Sequence, residues 1–443
     1  MTQCNTALSF PFFEKSKLTA TFDGGSIVSD GGLLLVRQFD ESIGFTEPLA
    51  RCIYDRRDPL SVSHSMLELV RQRLYQIIAG YEDANDATVL RHDPIFKAVT
   101  GRLPDDDALG SQPTLCRLEN AVGPGSLADL TEEQVRQFIR TRSRPPTQMT
   151  LDMDPSHAPT YGAQQLTFFN GYYDTWMYFP QFLCDAASGF LLASVLRAGN
   201  AGAAEGATVL LARTVSMLRA AWPTLRLDFR GDAGFAVPDL LDWLEDQRIP
   251  YVIGLGVNDV LERLSADVVA RVSADYERTG RPQKAFSSFR YAAHTWPHLR
   301  RVIVKVEVTA RGVNVRYALA TRGGRTADLF EWYHQRGGTI ENVIEQLKNG
   351  FEGDRLSCRT IEANAFRLLL HTAAYNLMVL FRERTTVPEL RFADIQSLRL
   401  KLIKVGGRVE RSVRRLWIKL SSSWPFASIF RHVHAVLVPG PAG

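Results

Sequence analysis

The stretch LRLDFRGDAGF, Leu225–Phe235, decides how the rest of the chain is read. Apolar Leu225, Leu227 and Phe229 alternate with polar Arg226, Asp228 and Arg230, the two-residue period of a β-strand. Gly231 and Gly234 then let the backbone turn, which leaves Asp232 just past the strand end. A carboxylate held at the mouth of a strand is a candidate for chemistry, although an isolated one commonly serves only a turn.

Working outward, Glu205 to Trp222 has the apolar spacing of an amphipathic helix, stopped by Pro223. Pro238 to Gln247 reads as a second helix and Tyr251 to Leu255 as a following strand. Upstream, Met149 to Asp154, Thr175 to Cys184 and Phe190 to Arg197 read as three strands, the last two joined by a turn at Asp185–Gly189. The order is strand-strand-strand-helix-strand-helix-strand. It is the order of an α/β fold with an RNase H-like mixed-sheet core, although alternating elements also suit other α/β folds.

Boundaries follow from composition. Residues 1–145 are expected to form a mostly helical region, with Pro145 and Pro146 marking its limit. Within it, Ser29 or Asp30 is expected to cap a helix through Leu33–Val36. Met66, Leu69, Val70, Leu74, Ile77 and Ile78 define a helix over Ser65–Ala79, with Arg71, Arg73 and Gln76 on its polar side. Gly101–Gly125 reads as a loop, followed by a helix near Thr131–Arg140. Gly24, Gly25, Gly31 and Gly32 do not make a phosphate loop, since no GK[ST] follows.

The core takes residues 146–255 and 331–385, interrupted by a β-rich insertion over 256–330. The insertion shows a helix near Asn258–Val272 and strands at Arg300–Thr309 and Val313–Thr321. Helices are expected near Thr339–Lys348 and over Ile361–Arg384, the latter apolar on most faces. Residues 386–443 form a basic C-terminal region. Arg391 to Lys419 holds nine Lys or Arg against two acids, a local balance of +7; the rest carries −3 of a net +4. Such a tail suits a polyanion or a solvated surface.

Other classes are disfavoured. The five cysteines, Cys4, Cys52, Cys116, Cys184 and Cys358, form no CxxC pair, so neither a zinc ribbon nor a disulfide framework is expected. A reducing cytoplasm fits that cysteine usage best, and the opening MTQCNTALSFPFF lacks a basic segment before an apolar run, so no secretory signal is expected. The most apolar stretch, Ala365–Phe381, is broken by Arg367, His371 and Asn376 and does not suit a bilayer.

Cleavage of a phosphodiester by two metal ions needs hard oxygen ligands around two Mg²⁺ about 3.5–4 Å apart. The first strand offers Asp152 and Asp154, which point to one side; the fourth ends at Asp232; the helix after the insertion carries Glu341. The stretches LDMDPSHAPTYGAQQLTFFNGYYD (Leu151–Asp174), LDFRGDAGF (Leu227–Phe235) and WPHLRRVIVKVE (Trp296–Glu307) come in order. They are followed by YHQRGGTIENVIEQLK (Tyr333–Lys348) and DRLSCRTIEANAFRLLLHTAAYNL (Asp354–Leu377). With these the chain resembles bacterial DDE insertion-sequence transposases, the family numbered 1380.

The resemblance implies DNA transposition through an RNase H-like catalytic domain with Mg²⁺ as cofactor, Mn²⁺ substituting. Its partners would be double-stranded DNA, both terminal inverted repeats and target, with a homodimer pairing two ends, near the nucleoid and away from membranes. It assigns Asp232 as second acid and Glu341 as third, with Glu345 in reserve. Asp154, followed by Pro155 and Ser156, resembles the Asp-x-Thr/Ser pattern and is preferred to Asp152 as first acid. Related transposases carry Tyr-x2-Arg-x3-Glu-x6-Lys; here Tyr333, Arg336, Glu341 and Lys348 match, with four residues between Arg and Glu. Tyr333, Arg336 and Lys348 would then contact DNA phosphates. Trp296 would stack on a base or pack in the core. Two other readings remain: a two-metal nuclease of the same fold, and a catalytically silent, transposase-derived DNA-binding protein.

Overall fold

In the computed structural model, residues 7–12, 16 and 18–438 are described; Cys4 and the first residues of the opening segment lie outside them. The described residues fall into two compact units. One comprises the described residues up to 51 together with 55–118 and 381–438, the other 52–54 and 119–380.

The second unit holds one eight-stranded sheet. Its strands are β1 (Gln148–Pro155), β2 (Gln181–Asp185), β3 (Leu191–Val195), β4 (Arg226–Gly231), β5 (Tyr251–Leu255), β6 (Gln283–Tyr291), β7 (Arg300–Thr309) and β8 (Gly312–Ala320). They lie in the order β6-β7-β8-β5-β4-β1-β2-β3. β1, β4 and β5 run parallel, with β2 antiparallel to β1 and β3 to β2. This arrangement, a meander at one edge and two parallel crossovers at the other, is the RNase H-like core. The helices Ala207–Ala221 and Pro238–Asp246 supply the crossovers. The insertion's three strands continue the same sheet antiparallel from β5. β2 is buried along its whole length, and β3 and β5 along all but their last residue, as strands covered on both faces must be.

The apolar helix Ile361–Thr385 lies within this core through Leu380, and its polar residues have partners. Asn376 accepts from the Leu191 N–H at 2.9 Å and donates to the Leu191 carbonyl at 2.8 Å. It thereby satisfies the outer rim of β3, the sheet's edge strand, which would otherwise bury unpaired backbone groups. Among the described residues no helix is long and apolar enough to cross a membrane.

Several local expectations change. The run Thr175–Cys184 is two strands, because Pro180 cannot donate to a ladder. Thr175–Tyr178 leaves the main sheet and pairs with Phe168–Asn170 and Ala158–Pro159 in a small three-stranded one. β6 escaped notice because its polar Lys284, Ser287, Ser288 and Arg290 mask the period. The loop read over Gly101–Gly125 contains the helix Gln112–Ala121 and opens another, Pro124–Thr141.

In the first unit, the helix Leu33–Ile43 begins at Gly32 without a side-chain cap. Asp30 is buried instead, taking hydrogen bonds from Ser29 and Tyr81 and an ion pair from Lys404 at 2.7 Å. Gly32 is required there: a Cβ would lie 1.7 Å from the Leu402 carbonyl oxygen. In the helix Met66–Ala79 the polar face is not exposed. Arg73 and Gln76 are fully buried, and Arg73 donates to the Glu82 carbonyl at 2.9 Å. Much of the basic tail is likewise engaged within its own unit. Arg399 donates to the Ile78 carbonyl, Arg411 pairs with Asp105, and Lys419 and Arg408 with Glu410.

Candidate active site

Register sets the site. Arg230 lies beside Asp152 and Gly231 beside Met153 on the parallel pair β4–β1, so the next residue, Asp232, lies beside Asp154 at the strand mouths. Asp232 is extended (φ −74°, ψ −174°) and accepts from the Gly234 N–H at 2.9 Å, capping the turn Ala233–Phe235. On the far side, Gly254 of β5 allows a close approach. A Cβ there would meet the Tyr333 hydroxyl at 2.7 Å and the Ala233 nitrogen at 2.9 Å. Tyr333 therefore packs behind the Asp232 turn, and burial raises its phenol above the usual range.

The third element is a helical run from Thr326 to Gly350 that contains two π-helical turns, Gly337–Glu341 and Gln346–Gly350. Glu341 thus lies deep in a helix rather than near its start, because Gly337 and Gly338 are absorbed in the first π turn rather than ending the helix. A π turn holds one residue more than an α turn. It therefore accommodates the four residues between Arg336 and Glu341 and keeps both on one face. Arg336 Nη1 donates to Asp154 Oδ2 at 3.0 Å, and its Nη2 lies 3.9 Å from Glu341 Oε1. One guanidinium bridges two of the acids. Burial, together with the negative charges of Asp232 and Glu341, raises the Asp154 carboxyl to about 6 despite Arg336.

Asp152 has a different setting. It is fully buried and held bidentately by Arg230, Nε to Oδ1 at 2.6 Å and Nη2 to Oδ2 at 2.7 Å. Glu345 is exposed. Lys348 turns toward Asp354, 3.9 Å away, and burial lowers its ammonium. It stands near enough to His157 to hold that imidazole below its ordinary value, after burial itself. Trp296 is buried, edge-on to Tyr291 with ring centroids 5.4 Å apart and 5.3 Å from the Arg300 guanidinium. That is the packing arrangement. The sequence reading missed His157 and Tyr173, which stack at 4.5 Å. His157 lies three residues beyond Asp154, and burial and the charges of Tyr172, Asp154 and Asp232 raise the Tyr173 phenol.

Among the described residues, the one group of three His, Cys, Asp or Glu ligand atoms within 4.8 Å of one another is Asp242, Glu245 and His298. Arg300 already fills it, donating to Glu245 at 2.8 Å and pairing with Asp242. Asp154, Asp232 and Glu341 stand further apart, with Arg336 reaching two of them.

The raised Asp154 carboxyl has a consequence for stability. Its charged form is disfavoured by folding, from 3.8 to about 6. The penalty is absent below the lower value, grows as pH rises, and is complete above the upper, where it is worth up to about 3 kcal/mol. Asp154→Asn keeps an acceptor for Arg336 and removes the charge. Metal-free Asp154→Asn is expected to be more stable than the parent at pH 8 by about 1–3 kcal/mol, the gain shrinking as pH falls through about 6. Denaturant melts in EDTA at several pH values measure it; a pH-independent difference would contradict the assignment.

An RNase H-like core with carboxylates at neighbouring strand mouths defines the class of fold and site. The family model described as "Transposase DDE domain group 1" matches residues 10–441, and the chain belongs to that family. No curated protein matches the chain. One solved structure it is similar to is the "piggyBac transposase synaptic complex with hairpin DNA". The identity is 13%, over 85% of this chain and 80% of that one, with a TM-score of 0.43.

Proposed function

We propose that this transposase cuts DNA at the ends of a mobile element and joins the freed 3′ ends to target DNA, with Asp154, Asp232 and Glu341 as its metal-holding acids. The observation that supports the reading is the single Arg336 guanidinium, 3.0 Å from Asp154 and 3.9 Å from Glu341, at the strand mouths where register sets Asp232 beside Asp154. Asp154 feels the negative charges of Asp232 and Glu341, a setting that favours a cation among them, and carboxylate oxygens suit Mg²⁺ or Mn²⁺. Such ions, when bound, supply an activated attacking oxygen and stabilise the leaving one. The protein's own contribution is positional. β1 and β4 fix two carboxylates through the sheet, and the π turn sets Glu341 above them. Arg336 neutralises the acids when no cation is bound and is placed to meet a phosphate when one is. Asp152 is read as structural and Glu345 as solvent-facing.

Double-stranded DNA is the proposed partner, with two copies of the chain pairing two element ends. The bacterial insertion-sequence family numbered 1380 is the proposed narrower grouping. The test incubates the full-length protein and Mg²⁺ with a supercoiled plasmid and labelled DNA carrying the sequences that flank its gene. Label joined to plasmid is expected. Cleavage without joining would identify a nuclease. Binding without product in either Mg²⁺ or Mn²⁺ would identify a silent DNA-binding protein.

A further inference from the structure

Residues 156–180, between β1 and β2, contain eight of the chain's Phe, Trp and Tyr residues and a single acid, Asp174, with no Lys or Arg; the chain as a whole is 10% aromatic. Several of these rings face solvent: Tyr161 is 87% exposed, Tyr172 89%, Trp176 56% and Phe169 52%. Rings this exposed are not core, and an apolar patch of this kind on a protein surface marks a contact site.

The platform is also rigid. Phe169 and Trp176 sit opposite each other on paired strands, with ring centroids 6.3 Å apart. Below them, the Tyr178 hydroxyl donates to the Gln165 carbonyl at 2.7 Å and accepts from Asn364 at 3.2 Å. The Gln165 N–H donates to the Arg359 carbonyl at 3.0 Å, and Gly199 N–H to the Leu166 carbonyl at 3.2 Å. Fixed exposed rings lose little freedom on binding. The platform is continuous with the candidate active site, because the chain leaves β1 at Pro155, next to Asp154, and passes through the stacked His157–Tyr173 pair into it. A cation stands at its foot: the exposed Arg359, whose carbonyl takes the Gln165 N–H.

We propose that the Phe169–Tyr172–Trp176 face stacks against unpaired DNA bases beside the cleavage site, holding a locally opened strand. Exposed rings over a basic foot are how sequence-tolerant single-strand binding is built, because every base has a face to stack. With Asp174 the one charged side chain among them, the rings suit bases rather than an oppositely charged protein patch. The proposal rests on the reading that the site works on DNA, and it gives the stacking task to this platform rather than to the buried Trp296.

The test uses the full-length protein in EDTA, so that cleavage plays no part. The probes are a short blunt duplex and the same duplex with a single-stranded oligothymidine tail containing one 2-aminopurine. Wild-type protein is expected to bind the tailed duplex about 10-fold more tightly and to quench the 2-aminopurine. The combined Phe169→Ala, Tyr172→Ala and Trp176→Ala variant should lose both effects, while Trp176→Phe keeps them. Equal binding of both duplexes by wild type, or an unchanged preference in the triple variant, overturns the proposal. So does a change of self-association in that variant with the tail preference intact, which would make the face a contact between copies. Failure to bind either duplex would remove the DNA reading as well, whereas equal binding of both removes this proposal alone.

Discussion

Asp232→Asn is expected to lower Mg²⁺-dependent DNA cleavage by at least about 10³-fold, since a lost ligand forfeits several kcal/mol of charge stabilisation in the transition state. DNA affinity should stay within about a few-fold of the parent, because phosphate binding depends on cations that this change leaves in place. The local structure should survive. An Asn oxygen can still accept from the Gly234 N–H, as the Asp232 carboxylate does at 2.9 Å, so the capped turn Ala233–Phe235 is retained. The experiment measures single-turnover cleavage and equilibrium DNA binding on the same preparation. A variant that cleaves at the parental rate in Mg²⁺ would remove Asp232 from the metal-holding acids. One that loses binding and cleavage together would instead make its role structural.

The core topology was legible because each strand of the RNase H-like part carries its own pattern. Alternation in Leu225–Arg230, apolar runs in β2 and β3, and helix stops at Pro223 suffice to order the elements. The position of Asp232 was legible for the same reason, since glycines on both sides mark where the strand must turn. What the sequence hides is whatever depends on tertiary context. Thr175–Cys184 is apolar apart from Thr175 and Gln181, so nothing local says that Pro180 divides it between two sheets. Gly337 and Gly338 stand just ahead of the helix expected near Thr339–Lys348, and only the packed helix shows that a π turn absorbs the extra residue ahead of Glu341. Ser29 and Asp30 have the chemistry of caps, but a buried Asp30 gains more from Lys404 and Tyr81, which are distant in sequence.

Alternation places Asp152 and Asp154 on one face of β1, and in the sequence only the resemblance, through the Pro155 and Ser156 that follow Asp154, tells them apart. Their surroundings separate them, and mutation should too. Asp152→Ala is expected to destabilise the protein by about 3–5 kcal/mol, because it strands a buried guanidinium. Arg230 keeps its bond to the Trp332 carbonyl at 2.5 Å and its place over the Trp332 ring at 4.9 Å, which favours the lower end of that range. Replacing both partners with apolar residues of similar volume, Asp152→Leu with Arg230→Met, should recover much of the loss, since neither charge is then left buried alone. Chemical denaturation of the two variants and the parent measures this. Asp154→Asn, by contrast, is expected to raise metal-free stability at neutral pH, so two acids two residues apart should move in opposite directions. If Asp152→Ala instead folds as stably as the parent but loses Mg²⁺-dependent protection against denaturant, Asp152 belongs among the metal-holding residues and the first acid must be reassigned.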